Sequence, residues 1–326
     1  MQKNAEIGEK KDFIYMGSLS AERFCGYPRK KEGLMRTNRI KAEGEGYYHV
    51  VSRIVNREYR MDGAEKDIFV GIMRRAEKFS AVDVLTFAVL DNHFHILVRV
   101  PEREEIGDDV LLERYRALYG EARAAALEAR WNWLRDGGRD EAVDAEQAVL
   151  KRRMYDVSEF VKTLKMRYSI SYNARTGRTG TLWEGRFKSV LVEPHSPAMR
   201  KVATYIDLNA VRAKIVADPS RYRWCGYGEA CCGKPAALAG IAKLLPSATA
   251  GEALREYRSW LGGQTPETVV FPVRMSRFID GLALGGRDYV AAVGRCSVIA
   301  REPVFVLGDG RGNATYALRR PASVTA

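Results

Sequence analysis

Two apolar runs, residues 84–90 (VLTFAVL) and 93–100 (HFHILVRV), are separated only by Asp91-Asn92. Both are rich in β-branched and aromatic residues, and a two-residue polar turn between such runs predicts an antiparallel hairpin. A hairpin is not stable alone in water, so the rest of the chain has to cover it. The second strand also carries two of the chain's four histidines. Side chains alternate along a strand, so His93 and His95 share one face and Phe94 takes the other.

Other elements follow from the same periodicities. Residues 47–55 (YYHVVSRIV) read as a strand after a Gly-Glu-Gly turn, and residues 66–79 (KDIFVGIMRRAEKF) as a helix. Residues 101–156 are rich in Ala, Glu and Arg and read as a helical insertion broken at Gly137-Gly138. Residues 157–173 form a helix with Phe160, Leu164, Tyr168 and Tyr172 four apart, and residues 181–192 a fourth strand. Residues 197–216 (PAMRKVATYIDLNAVRAKIV) form a helix with Pro197 in its first turn. Beyond Pro219 short helices are expected, one of them in residues 278–294, and a late hairpin over 303–318.

The expected fold class is α+β: a central antiparallel sheet of four to five strands with packed helices. The expected organisation is a basic arm over 1–40, a main domain over 41–230 that carries the insertion, and an α-helical C-terminal extension over 231–326.

Charge points to a partner. Lys plus Arg number 53 against 41 Asp plus Glu, a net +12, which favours a polyanion through counterion release. Residues 101–156 hold 14 acidic and 10 basic residues, so the basic surface lies outside the insertion. The five cysteines show no CxxC spacing, which signals neither a zinc site nor a disulfide framework. No apolar run is long enough to span a membrane, and the N-terminus lacks a signal-peptide core, so a cytoplasmic protein is expected.

Two imidazoles on one strand face make a bidentate clamp for a metal, or an ordinary polar pair on a solvated face. Spacing alone does not choose. Tyr205 and Asn209 are four apart in the helix over 197–216 and share a face. A phenol beside a metal can attack phosphorus, and an amide oxygen can complete the sphere of a hard cation. A core tyrosine and a helix-surface amide account for the same residues.

Taken together, YYHVVSRIVNRE, LDNHFHILVRVPE, RTGTLWEGRFKSVLVE and YIDLNAVRAKIV resemble the motifs of the REP-associated tyrosine transposases, relatives of the insertion-sequence single-tyrosine transposases in the HUH nuclease superfamily. The resemblance covers about residues 39–227. It implies a ferredoxin- or RRM-like core, with His93, His95 and Asn209 as ligands of Mg²⁺ or Mn²⁺ and Tyr205 as the nucleophile. Ala210 stands where the family usually has proline, a departure expected to alter local helix geometry only.

The implied activity is cleavage and joining of hairpin-associated single-stranded DNA through a 5′-phosphotyrosine, by a monomer or a homodimer, in association with the nucleoid. Expected DNA contacts are Arg36, Arg39 and Lys41 of the arm, Arg53 and Arg57 near the first strand, and Arg175, Arg178, Trp183, Arg186 and Lys188. Those last five mix cations with an indole, the combination that tracks a backbone and stacks unpaired bases. Tyr168 and Tyr172 are rival nucleophiles, but their register with Phe160 and Leu164 suits a packed stripe. His49 and His195 could each support a ligand from behind, but a satisfied structural histidine is the simpler reading of both. A non-catalytic nucleic-acid binder and a hydrolase that uses water are the alternative functions.

Overall fold

A computed structural model describes residues 39–245, 249–262, 281–296, 304–307 and 314–319. Arg36 and almost all of the expected basic arm lie outside the described residues.

The hairpin is present. Strands β2 (Asp83–Val89) and β3 (His93–Val100) pair antiparallel with Val89 opposite Phe94. Strand β1 (Gly46–Arg53) lies on the other side of β3, with Val51 opposite His95 and Arg53 opposite His93. Strand β4 (Lys188–Val192) runs antiparallel to β1 and places Lys188 opposite Val51. Only the second half of the strand expected over 181–192 is therefore extended in the sheet. The first half is an irregular run held to the end of β1, where Val55 N–H donates to Leu182 O at 3.0 Å and Glu184 N–H to Arg53 O at 2.9 Å.

The fold is α+β, and its sheet is wider than four to five strands. Strands β5 (Gly281–Gly285), β6 (Val304–Leu307) and β7 (Thr315–Arg319) extend it to seven in the order β2-β3-β1-β4-β5-β7-β6. β5 pairs parallel to β4, and β6 and β7 form the late hairpin. The run GLALG was expected within a helical piece; five small or apolar residues show no period that separates strand from helix.

Helix α1 (Gly63–Ser80) starts where the Asp62 carboxylate accepts from Glu65 N–H at 2.9 Å. The insertion forms three helices, not two: α2 (Asp108–Tyr119), α3 (Glu121–Asp136) and α4 (Asp140–Lys151). The extra break falls at Gly120, whose φ of +87° lies outside the helical region and favours glycine. Helix α5 (Val157–Thr176) is capped by Asp156, which accepts from the N–H groups of Ser158 and Glu159, and it buries Phe160, Leu164, Tyr168 and Tyr172 as one stripe.

The helix expected over 197–216 is interrupted. Helix α6 (Pro197–Asp207) ends before Leu208 (φ −82°, ψ 2°), and a short α7 (Asn209–Arg212) follows. The cause lies in Asp207, which is fully buried. It accepts from Thr86 Oγ1 at 2.7 Å, Tyr257 Oη at 2.5 Å and Tyr227 N–H at 2.9 Å, and so pins the helix end into the core. Helices α8 (Gly226–Cys231), α9 (Pro235–Ala242), α10 (Ala250–Leu261) and α11 (Arg287–Cys296) complete the described residues.

Strand parity sorts the packing into two cores. Tyr48, Val50, Phe94, Ile96 and Val98 face α1 to α5 and α11, and the buried side chains of the insertion, Trp131 and Leu134 among them, join this layer. Tyr47, Leu97, Val190 and Val192 face α6 and α8 to α10. His49, His93, His95 and Arg53 alternate onto this second face, beneath α6. No helix of the described residues is long and apolar enough to cross a membrane.

Candidate active site

The two histidines of β3 occupy one face as expected, and each has its Nδ1 engaged. His93 Nδ1 lies 2.7 Å from Asn92 Oδ1, and an amide oxygen can only accept, so His93 carries its proton on Nδ1. His95 Nδ1 lies 3.0 Å from Nε2 of His49, a fully buried residue of β1. The His49 and His95 rings stack with centroids 5.2 Å apart at 22°, while His93 stands edge-on to His95 at 5.1 Å. The contact is a diagonal one across the ladder: His49 sits opposite Leu97, two residues along the same face from His95.

Both β3 imidazoles are neutral at pH 7. Burial, then the neighbouring Arg53 charge, lowers the His93 pKa to about 4. Burial lowers that of His95 well below the usual value, with the charges of His93, His49, Arg53 and Arg212 acting in the same direction. Neutral imidazole is the form that ligates metal.

Helix α6 lays Tyr205 against His95 and His49. The Tyr205 ring is 5.3 Å from His95 and 6.0 Å from His49, edge-on to both, and the Arg212 guanidinium lies 5.0 Å over its face. Asn209, on the far side of the break, is 7% exposed, and its Nδ2 is a buried polar atom with no hydrogen-bond partner.

Among the described residues no three His, Cys, Asp or Glu side chains form a metal-binding group. The donor set nevertheless suits a hard divalent cation if the third ligand is an amide. Two neutral imidazoles have Nδ1 occupied and Nε2 left over, and a cation would draw on Asn209 through its Oδ1, while the buried Nδ2 without a partner is a donor and not a ligand.

Beside the histidines a cleft of about 230 Å³ opens between Val51–Arg53, Arg57, Glu184–Arg186 and Lys188. Four of the expected DNA contacts, Arg53, Arg57, Arg186 and Lys188, thus line one cavity with Glu184 as its acidic member. Arg57 has φ +57°, and its carbonyl accepts from Asn92 Nδ2 at 2.9 Å, which ties the cleft to the turn before His93.

The remaining expected contacts are engaged elsewhere. Arg39 donates to Ser189 Oγ at 2.6 Å and to Ser158 Oγ at 2.7 Å, and covers the Phe187 ring at 3.7 Å, joining β4 to α5. Lys41 pairs with Asp156, and Arg175 with Glu65. Arg178 donates to Thr181 O at 3.0 Å. Trp183 is 6% exposed and packs against Phe69, Phe94 and Tyr168 in the first core, on the opposite face from the histidines, so its indole offers no platform for a base. Tyr168 is buried there too and donates to Glu65 Oε2 at 3.0 Å.

Two site residues escape a reading of the sequence. His49 is marked only by its parity on β1, and nothing local states which β3 residue that parity brings beside it. Arg212 follows Asn209 by three residues, a helical spacing that places it on the same side of the turn.

No family model matches the chain, and no curated protein matches it. Among solved structures, one described as the structure of the REP-associated tyrosine transposase bound to a REP hairpin is similar at 12% identity and a TM-score of 0.34, over 61% of this chain and 84% of that one. A likeness of that size carries no argument about the site, which rests on its own geometry.

Proposed function

We propose that the protein is a metal-dependent single-stranded DNA endonuclease and strand transferase of the HUH tyrosine transposase type, acting on hairpin-associated DNA such as a REP element. The observation that supports this reading is the edge-on approach of Tyr205 to His95, which itself stands edge-on to His93, with the Arg212 guanidinium over the tyrosine ring. His95, His49 and Arg212 together surround the Tyr205 ring, an unusual setting for a purely structural tyrosine.

In the proposed reaction the Tyr205 oxygen attacks the scissile phosphorus, its proton passing to solvent. The bond from phosphorus to the 3′ oxygen breaks, that oxygen takes up a proton, and the 5′ phosphate stays on the tyrosine. A free 3′-hydroxyl then attacks the phosphotyrosine and reseals a strand, so joining needs no ATP. Mg²⁺ or Mn²⁺, held by His93, His95 and Asn209, would supply Lewis-acid polarisation of the scissile phosphate. Arg212 offsets charge that builds on the non-bridging oxygens, and Arg53, Arg57, Arg186 and Lys188 hold the flanking backbone.

The test is incubation with Mn²⁺ and end-labelled single-stranded hairpins, read on a denaturing gel. A covalent protein–DNA adduct is expected. Cleavage without an adduct would favour hydrolysis by water, and binding without cleavage would leave a nucleic-acid binder.

A further inference from the structure

We infer that His49 is a positioning residue for the metal-ligating face: it fixes His95 in the tautomer with the proton on Nδ1, as Asn92 does for His93, so that both Nε2 atoms face the site unprotonated. The inference rests on the proposed metal site and adds a residue to it.

The contact admits two proton arrangements, and only one suits a metal at His95. His49 and His95 are 0% and 1% exposed, so water is not at hand to satisfy a misplaced proton between them. With 3.0 Å between His49 Nε2 and His95 Nδ1, one nitrogen donates and the other accepts. If His49 donated, His95 would carry its remaining proton on Nε2 and could not ligate with it. If His95 donates, its Nε2 lone pair is left for the site, matching His93, whose Nδ1 proton is fixed by the Asn92 oxygen at 2.7 Å. The stacking at 5.2 Å and 22° also blocks rotation of the His95 ring. Such supporting partners commonly govern ligand affinity by about 10–100-fold.

The two supports differ in origin. Asn92 belongs to the hairpin turn next to His93, whereas His49 reaches His95 from the neighbouring strand, so the β1–β3 register is what supplies His95 with its partner. A change that leaves both ligands in place but removes the acceptor is expected to weaken the site.

The experiment uses the full chain with ¹⁵N-labelled histidine, stripped of metal. Long-range ¹H–¹⁵N spectra of the wild type are expected to show Nδ1–H and a bare Nε2 at His95; Nε2–H there would overturn the inference without any variant. Titration with Mn²⁺ alone is then compared for wild type, His49→Phe and His49→Gln. His49→Phe is expected to bind Mn²⁺ about 10–100-fold more weakly, and His49→Gln, which keeps an oxygen acceptor, to recover much of the loss. Unchanged affinity in a folded His49→Phe protein would overturn the inference. Adduct formation is scored on the same samples. A wild type with the expected tautomer and no adduct speaks against the proposed cleavage alone; an adduct with the opposite tautomer speaks against the role of His49 alone.

Discussion

Tyr205 stands edge-on to His95, the two rings 5.3 Å apart at 83°, although one belongs to a helix and the other to β3, the second strand of the seven-stranded sheet. If this contact marks a nucleophile beside its electrophile's binding site, Tyr205→Phe removes adduct formation by at least about a thousandfold and leaves the fold and Mn²⁺ binding intact. Tyr168→Phe serves as the counterpart. It loses the bond to Glu65 and about 1 kcal/mol of stability, and it keeps adduct formation. The reverse pattern on a denaturing gel would move the nucleophile to α5.

The cleft separates two kinds of arginine. Arg53→Ala and Lys188→Ala are each expected to lower the slope of log affinity against log salt for single-stranded DNA by about 0.7, the loss of one phosphate contact. Arg39→Ala is expected to leave that slope unchanged and to cost about 1.5–3 kcal/mol of stability, because it breaks the link between Ser189 and Ser158. Fluorescence anisotropy over a salt series, paired with urea unfolding, reads both. A changed slope in Arg39→Ala would return that residue to the DNA surface.

Trp183 makes a sharper case. Buried against Phe69, Phe94 and Tyr168, it is expected to cost about 3–5 kcal/mol on truncation to alanine. Trp183→Phe, which fills most of the volume, is expected to bind single-stranded DNA as the wild type does. A large affinity loss in a stable Trp183→Phe protein would show the indole stacking on bases after all.

Acid has opposing effects on the metal-free protein. His93 titrates near 4 when folded and near 6.5 when unfolded, so between these values the unfolded chain binds a proton that the folded chain refuses. Stability contributed by its neutral form, about 3 kcal/mol, is lost as pH falls through that window, and His95 acts in the same direction. Asp207 works the other way. Burial raises its carboxyl from 3.8 to about 6, so the folded chain keeps a proton that the unfolded chain has given up, and acidification recovers about 3 kcal/mol. Asp207→Asn is therefore expected to lose about 3 kcal/mol more than wild type between pH 7 and pH 4, measured by urea unfolding with chelator present. Identical losses in the two proteins would rule out the opposition.

Period-two alternation carried the most reliable information in the chain. Alternation along β3 put His93 and His95 on one face and Phe94 in the opposite core, and the two-residue turn at Asp91-Asn92 marked where that strand begins. Alternation says nothing about register, so the sequence leaves open whether His49 supports the site or is only structural, and the alignment of its strand with β3 brings it beside His95. Helical spacing put Tyr205 and Asn209 together, yet the break at Leu208 depends on Thr86, Tyr227 and Tyr257, residues up to 121 positions away. Cation-rich segments were legible as basic but not as free: the sequence of Arg39 or Arg175 does not state that Ser189 or Glu65 will already hold it.

The parallel pairing of β4 with β5 joins strands separated by residues 193–280. Without β5, β4 would have β1 as its one strand neighbour, and Val190, Leu191 and Val192 would border an open backbone edge. That pairing also has a long loop to close, so it belongs among the slow steps of folding. A chain without the β5 pairing would therefore carry an adhesive strand edge in the same sheet as the candidate site, and β5 is what covers it.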